Sequence, residues 1–174
     1  MKLKGQVVLV TGGGSGAGEA IVAACVAEGA QVVAMGRDEA KLKSACAAVG
    51  EGAHAEAGDV TDRSRVKEIV EATIERHGRI DILVNNAGVN IADRSLQKLS
   101  PEDWDLVLNV NATGAFNTVH EVLPHMRRQG GGLVLAVSSM AGTAPSVLGG
   151  VIYSAAKHAM SVLTKMVDLE EARH

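Results

Sequence analysis

Short apolar runs alternate with longer helical patterns along the whole chain. The apolar runs span 6–10, 31–35, 53–58, 80–85 and 132–138, and the helical patterns span 17–28, 38–48, 61–78, a segment from Ser100 onward, and 150–172. Nearly continuous apolar strands that alternate with helices are typical of a parallel sheet covered on both faces. The sequence therefore predicts an α/β fold with a doubly wound parallel sheet. Neither a repeat nor a linker interrupts it, so we expect one domain over residues 1–174.

Capping residues predict where individual helices begin and end. Thr61 or Asp62 stands at the start of one helical pattern, and Gly78 follows its last apolar position. Another pattern opens with Ser100 and Pro101, a capping residue followed by the residue that best tolerates a first helical turn. These positions predict helices over 61–78 and from 100 onward.

Composition excludes several classes of function. The net charge of −3 provides no basic field for nucleic acid and no polybasic patch for an anionic membrane. The first apolar run, VVLV, is too short for a signal peptide or a membrane span. Cys25 and Cys46 fit no disulfide or metal spacing, and the histidines do not cluster, so we assign no metal. We expect a cytoplasmic protein without nucleic-acid or membrane partners.

A glycine-rich stretch, TGGGSGAG at 11–18, joins the first strand to the first helix. Such a turn lets the backbone approach a diphosphate, which the N–H groups and dipole of the following helix then bind. A flexible turn is the alternative, but the position between a strand and a helix favours nucleotide binding. The spacing places glycines at Gly12, Gly16 and Gly18, and no Walker-type lysine follows.

The only tyrosine of the chain, Tyr153, precedes Lys157 by four residues within a helical pattern. Residues at this spacing lie on the same face of a helix, one turn apart. A free phenol titrates near pH 10, so a tyrosine that exchanges protons near neutral pH needs a neighbouring positive charge. The pair is either such an arrangement or two residues that share a helix face by chance.

Five segments follow the glycine-rich stretch along the chain, and the last of them contains Tyr153 and Lys157. They are DV at 59–60, NNAG at 85–88, NVNATG at 109–114, SSMAG at 138–142 and YSAAK at 153–157. In this order and spacing, the sequence resembles the classical short-chain dehydrogenase/reductase family over essentially its whole length. The resemblance implies a Rossmann-like sheet with strand order 3-2-1-4-5 in the part present. It also implies that a dinucleotide contacts Gly12, Ser15, Gly16, Gly18, Arg37, Asp59, Val60, Asn86, Ala87, Gly88, Tyr153 and Lys157.

The resemblance further implies a role for each of four catalytic residues. Tyr153 would transfer a proton to or from the substrate oxygen, and Lys157 would assist it and hold the nicotinamide ribose. Ser139 would donate a hydrogen bond to the substrate carbonyl, and Asn111 would hold a water in a proton relay. The interval from Ser139 to Tyr153 is one residue longer than expected for the family, so Ser138 stays an alternative to Ser139.

The implied activity is an NAD(P)-dependent interconversion of a ketone, or a 3-oxoacyl-type carbonyl, and a secondary alcohol. The partner would be a small-molecule carbonyl or alcohol. In the family the chain continues into a sixth strand, a substrate loop, further helix and a seventh strand, which this sequence lacks. A nucleotide-binding fragment without catalytic activity, or a non-enzymatic relative, is therefore the alternative. The resemblance also implies a homodimer or homotetramer through the last helix and the helix around 113–128.

The end of the second strand predicts the choice between NADP and NAD. An acid at this place accepts a hydrogen bond from the ribose 2′-hydroxyl of NAD, whereas an arginine accommodates the 2′-phosphate of NADP. Here Gly36 is followed by Arg37, and Asp38 is better placed to cap the next helix. Ser15 stands where many NADP-dependent relatives carry a second basic residue. The pattern favours NADP over NAD.

Overall fold

The computed structural model describes residues 1–172, so the last two residues of the single domain predicted over 1–174 lie outside the described residues. The strands are β1 (Val7–Thr11), β2 (Gln31–Gly36), β3 (Ala53–Ala57), β4 (Ile82–Asn85) and β5 (Leu133–Ala136). The helices are α1 (Gly16–Ala27), α2 (Glu39–Val49), α3 (Arg63–His77), α4 (Pro101–Leu108), α5 (Gly114–Arg128) and α6 (Val151–Glu171). A π-helical turn spans Asn109–Thr113 and a 3₁₀ turn spans Met140–Gly142.

The five strands of the described chain form one parallel sheet in the order β3-β2-β1-β4-β5. The predicted fold and strand order are confirmed. Strand β1 lies between β2, which follows it in the chain, and β4, so the direction of winding reverses there. In open sheets of this kind, the crevice at such a reversal, beyond the carboxyl ends of the strands, is the usual ligand site.

Both faces of the sheet are covered by apolar side chains, which explains the continuous apolar pattern of its strands. Leu9 faces one layer and packs in a cluster with Val122 of α5. Val8 and Val10 face the other layer and pack in a cluster with Val22 of α1. Alternate residues of β1 are thus buried on opposite sides, as a central parallel strand requires.

Capping interactions fix the helix starts close to where the sequence predicts them. Asp62, rather than Thr61, caps α3 by accepting a backbone N–H at 3.1 Å, while the Thr61 hydroxyl donates to Asp59. Ser100 caps α4 in the same way at 3.0 Å. Gly78 ends α3 with φ of +77°, in the left-handed region that favours glycine. None of the helices within residues 1–172 is long and apolar enough to cross a membrane.

Candidate active site

One cavity of about 690 Å³ lies beyond the carboxyl ends of the first four strands. This volume is within the range of about 300–1,000 Å³ that is typical of ligand sites. Nine of the residues predicted to contact a dinucleotide line it, namely Gly12, Ser15, Gly18, Arg37, Asp59, Val60, Asn86, Ala87 and Gly88. Gly16 is exposed at the start of α1 and does not line the cavity, and Tyr153 and Lys157 line the neighbouring cleft described below.

Close backbone packing explains why this loop contains glycine at two positions. A Cβ on Gly18 would lie 2.0 Å from the carbonyl oxygen of Gly12, and a Cβ on Gly12 would lie 2.9 Å from Nδ2 of Asn86. The first turn of α1 therefore sits directly against the end of β1. Ser15, at the start of this helix, makes no side-chain cap, so the N–H groups of the first turn are free to bind an anion.

Two asparagines at the end of β4 hold the loop that lines the cavity. Asn86 donates from Nδ2 to the carbonyl of Thr11 at 2.9 Å. The Thr11 hydroxyl accepts the backbone N–H groups of both Asn86 and Ala87 at 3.0 Å. The buried Asn85 donates from its amide to the carbonyl of Ala115 and accepts from the Thr118 hydroxyl. The NNAG segment is thus tied to β1 on one side and to α5 on the other.

Asn111 lies fully buried within the π-helical turn, where its amide is paired with the backbone of Val89. Its Oδ1 accepts the Val89 N–H at 2.7 Å, and its Nδ2 donates to the Val89 carbonyl at 2.9 Å. A Cβ on Gly88 would lie 3.2 Å from Asn111 Oδ1 and 3.5 Å from Lys157 Nζ, so Gly88 lies against both side chains. The sequence pattern did not predict the π-helical turn, a feature that is frequent at functional sites. The water-holding role of Asn111 stays a prediction.

Tyr153, Lys157 and Ser139 line a second cleft of about 550 Å³. The Lys157 ammonium lies 5.8 Å from the centroid of the Tyr153 ring and donates to the carbonyl of Val137 at 2.8 Å. Lys157 is only 3% exposed, and this burial lowers the pKa of its ammonium. The predicted pair is therefore brought together on one face of α6, at the end of β5.

Geometry distinguishes the two neighbouring serines. The Ser138 hydroxyl lies 2.8 Å from that of Ser161 in α6, and Gly142 packs so closely that a Cβ there would lie 2.4 Å from Ser138 Oγ. The Ser139 hydroxyl makes a weaker contact, accepting the Ala141 N–H at 3.2 Å. Ser138 is thus engaged in packing against α6, and Ser139 has the hydroxyl better able to meet a substrate.

One basic residue at the cavity was missed from the sequence. Lys41, in the first turn of α2, lines the cavity together with Arg37. Its ammonium lies 3.4 Å from the carboxylate of Asp38, which also caps α2 as predicted. Lys41 follows the capping Asp38 by three residues. This spacing could have indicated from the sequence that the Lys41 side chain lies beside the start of α2.

The charged side chains at the second cleft are cationic. Lys157 and Arg94 are the charged side chains that line it in the described part of the chain. Nowhere within residues 1–172 do three His, Cys, Asp or Glu side chains converge as a metal site would require. The side chains that line the cleft offer hydroxyl, amide, ammonium and guanidinium groups.

Comparisons with known proteins agree with this geometry. A sequence model of the family described as short chain dehydrogenase matches residues 6–174. The 3-oxoacyl-[acyl-carrier-protein] reductase FabG of Thermotoga maritima is 39% identical over 169 residues, which cover 95% of this chain and 68% of that protein. A 3beta-hydroxysteroid dehydrogenase of Mediterraneibacter gnavus is 36% identical and covers 96% of this chain and 61% of its own length. The crystal structure of levodione reductase superposes with a TM-score of 0.94 at 34% identity, covering 98% of this chain and 68% of that one.

Proposed function

The chain belongs to the short-chain dehydrogenase family, whose members are NAD(P)-binding oxidoreductases, and from that membership we propose that it interconverts a ketone and a secondary alcohol. One observation carries the proposal. The cleft with Tyr153 and Lys157 and the glycine-rich cavity share Asn86, Gly88 and Val89 as lining residues. A dinucleotide in the cavity would therefore reach the cleft where a proton donor stands.

The residues of the cavity fit a dinucleotide. Gly12 and Gly18 leave no room for a Cβ and keep the backbone close to the space that a diphosphate would fill. The first turn of α1 would bind that diphosphate, and Asp59 and Val60 would flank the adenine. When bound, the cofactor supplies or accepts the hydride.

The residues of the cleft supply the proton and stabilise charge on the substrate oxygen. The Tyr153 phenol would give its proton to that oxygen during reduction and take it back during oxidation. The Lys157 ammonium, one helical turn away, would stabilise the phenolate and hold the nicotinamide ribose. The Ser139 hydroxyl would donate a hydrogen bond to the carbonyl oxygen, and Asn111 would hold a relay water.

We favour NADP over NAD as the cofactor. Arg37 follows Gly36 at the end of β2, where its planar guanidinium can form two hydrogen bonds with a 2′-phosphate. Lys41 adds a second cation on the same side of the cavity, although Asp38 partly neutralises it. Asp38 also lines the cavity, but one of its carboxylate oxygens accepts the Lys41 N–H as the cap of α2 and the other lies 3.4 Å from the Lys41 ammonium.

The second candidate function is nucleotide binding without turnover. It is favoured by β5, where Leu133 and Leu135 are 48% and 46% exposed at the edge of the sheet. The chain spans about two thirds of the length of FabG and of levodione reductase. A protein that binds NADPH but does not oxidise it in the presence of any carbonyl compound would have this function.

Consumption of NADPH with a panel of carbonyl compounds separates the two functions. Suitable members are 3-oxoacyl thioesters, 3-oxosteroids and cyclic diketones, chosen from the classes that the relatives' names contain. Tyr153→Phe should lower any activity by about a hundredfold or more without weakening NADPH binding, because it removes a proton and little surface. Ser139→Ala should lower it as well, whereas the matched variant Ser138→Ala should cost mainly stability. Full activity in Tyr153→Phe would assign the proton to another group.

A further inference from the structure

Two loops meet in front of the helix that carries Tyr153. The first follows β4 and spans 90–96, and the second spans 145–150 and leads into α6. Asn90 donates from Nδ2 to the carbonyl of Gly149 at 3.1 Å. Arg94 donates from Nη1 to the carbonyl of Leu148 at 2.6 Å and from Nε to the carbonyl of Ile91 at 2.9 Å. Two side chains of the first loop therefore hold two consecutive carbonyls of the second.

The held segment lies directly against the tyrosine. A Cβ on Gly149 would be 3.3 Å from Cδ1 of Tyr153, so Gly149 lies beside the ring with room for no larger residue. Gly150, with φ of +83°, stands at the start of α6, and a Cβ there would be 2.5 Å from Cβ of Arg94. The segment is thus enclosed between the first loop and the phenol ring.

The first loop is also connected, at its start, to Asn111. Asn90 directly follows Val89, whose N–H and carbonyl are both paired with the Asn111 amide. The Asn90 Oδ1 accepts the N–H of Ile91 at 2.9 Å, which orients the amide so that its donor faces Gly149. A continuous set of contacts therefore runs from Asn111 through the first loop to Tyr153.

The second loop has little packing of its own to hold it. Val147 and Leu148 are 98% and 86% exposed, so few apolar contacts anchor the segment 145–150. Segments with few buried contacts open at low free-energy cost unless hydrogen bonds restrain them. From α6, the Ser154 hydroxyl accepts the Ser146 N–H at 3.3 Å, and the two contacts from Asn90 and Arg94 restrain the Leu148 and Gly149 end of the segment, which lies nearer the ring.

We propose that Asn90, assisted by Arg94, is a positioning residue that holds the Tyr153 ring in register with Lys157 and Ser139 by fixing Gly149. The inference rests on the proposed function for its consequence in catalysis. The structural part of the proposal, that Asn90 orders the Tyr153 ring, does not depend on the proposed function. A displacement of about 1 Å at a reacting group can lower a rate by about a hundredfold.

The single tyrosine permits a test that does not require activity. Replacing tyrosine by fluorotyrosine during expression gives one fluorine resonance, which reports the surroundings of Tyr153 alone. Asn90→Ala should broaden that resonance or move it toward the position found in the unfolded chain. Asn90→Asp, which keeps the shape but removes the donor, should act in the same direction if the alanine variant folds poorly. Gln97→Ala removes an exposed amide just after the first loop and should leave the resonance unchanged.

Kinetics then distinguish positioning from general loosening. Asn90→Ala should lower kcat by about tenfold, with cofactor affinity unchanged and a shifted pH profile of kcat. If the unsubstituted chain turns over no carbonyl, the proposed function fails, but the fluorine resonance still decides on the positioning role. A resonance identical in Asn90→Ala, Asn90→Asp and the unsubstituted chain would overturn the proposal. A parallel fall of kcat and cofactor affinity in the Asn90 variants would also overturn it.

Discussion

Gly18→Ala tests whether the first turn of α1 has to lie against the end of β1. The new Cβ would lie 2.0 Å from the Gly12 carbonyl oxygen, and real Cβ atoms essentially never approach another heavy atom within 3.0 Å. The two backbone segments would therefore have to separate by about 1 Å, since neither atom belongs to a flexible side chain.

The expected cost follows from two opposing effects. Overpacking costs about 1–3 kcal/mol, and the upper end applies here because backbone meets backbone. Alanine regains about 1 kcal/mol of helix propensity over glycine, which leaves a net loss of about 2 kcal/mol. For a chain of this size, this corresponds to a fall in Tm of about 4–8 °C. The same displacement moves the N–H groups of α1, so NADPH affinity should fall by about tenfold or more.

Thermal unfolding and NADPH titration of the same samples measure both effects. Gly78→Ala is the matched control, because its φ of +77° makes a Cβ unfavourable but nothing lies within 4 Å of that Cβ. The control should lose about 1 kcal/mol of stability and none of its NADPH affinity. Gly18→Ala with unchanged affinity and a Tm equal to that of the unsubstituted chain would refute the steric argument.

Three further predictions concern the cofactor, the buried lysine and assembly. Arg37→Ala should remove most of the preference for NADPH over NADH. Lys41→Ala should remove less of it, because Asp38 already pairs with that lysine. If fluorescence titration shows that the unsubstituted chain binds NADH as tightly as NADPH, this prediction is wrong. Burial holds the pKa of Lys157 below its ordinary 10.5, so the unfolded chain binds the proton more tightly. Stability should therefore rise with pH between the lowered pKa and 10.5, and urea titrations should show that Lys157→Met lacks this rise. Light scattering should show a dimer or tetramer that dissociates in Val162→Glu, since Val162 and Met166 of α6 are apolar and exposed. A monomer at all concentrations would exclude this assembly.

Local patterns predicted the parts of the fold that depend on nearby residues. The alternation of strands and helices gave the parallel sheet, because strands buried on both faces have to be apolar throughout. Asp62, Ser100 and Gly78 marked helix ends correctly, since a cap depends on residues within one turn. Strand β5 is shorter than the predicted 132–138, because the backbone turns after Ala136 and the N–H of Ser138 bonds the carbonyl of Ala136.

Contacts between distant parts of the chain were not predictable from these patterns. Asn86 bonds Thr11 across 75 positions, and Asn90 bonds Gly149 across 59, so neither pair leaves a periodic signal. Asn111, in the π-helical turn Asn109–Thr113, bonds the backbone of Val89 across 22 positions, another contact without a periodic signal. Resemblance to a family predicted the site residues, but the hydrogen bonds that hold them emerged only from the structure.

Transfer of a labelled hydride tests most directly whether the chain reduces a carbonyl compound with NADPH. NADPH that carries deuterium at the transferable position of its nicotinamide would be incubated with the chain and a carbonyl compound from the panel, and the product analysed by mass spectrometry. We expect deuterium on the carbinol carbon of the alcohol, and only background label with Tyr153→Phe. NADPH that binds in the cavity but yields no labelled alcohol from any member of the panel would contradict it.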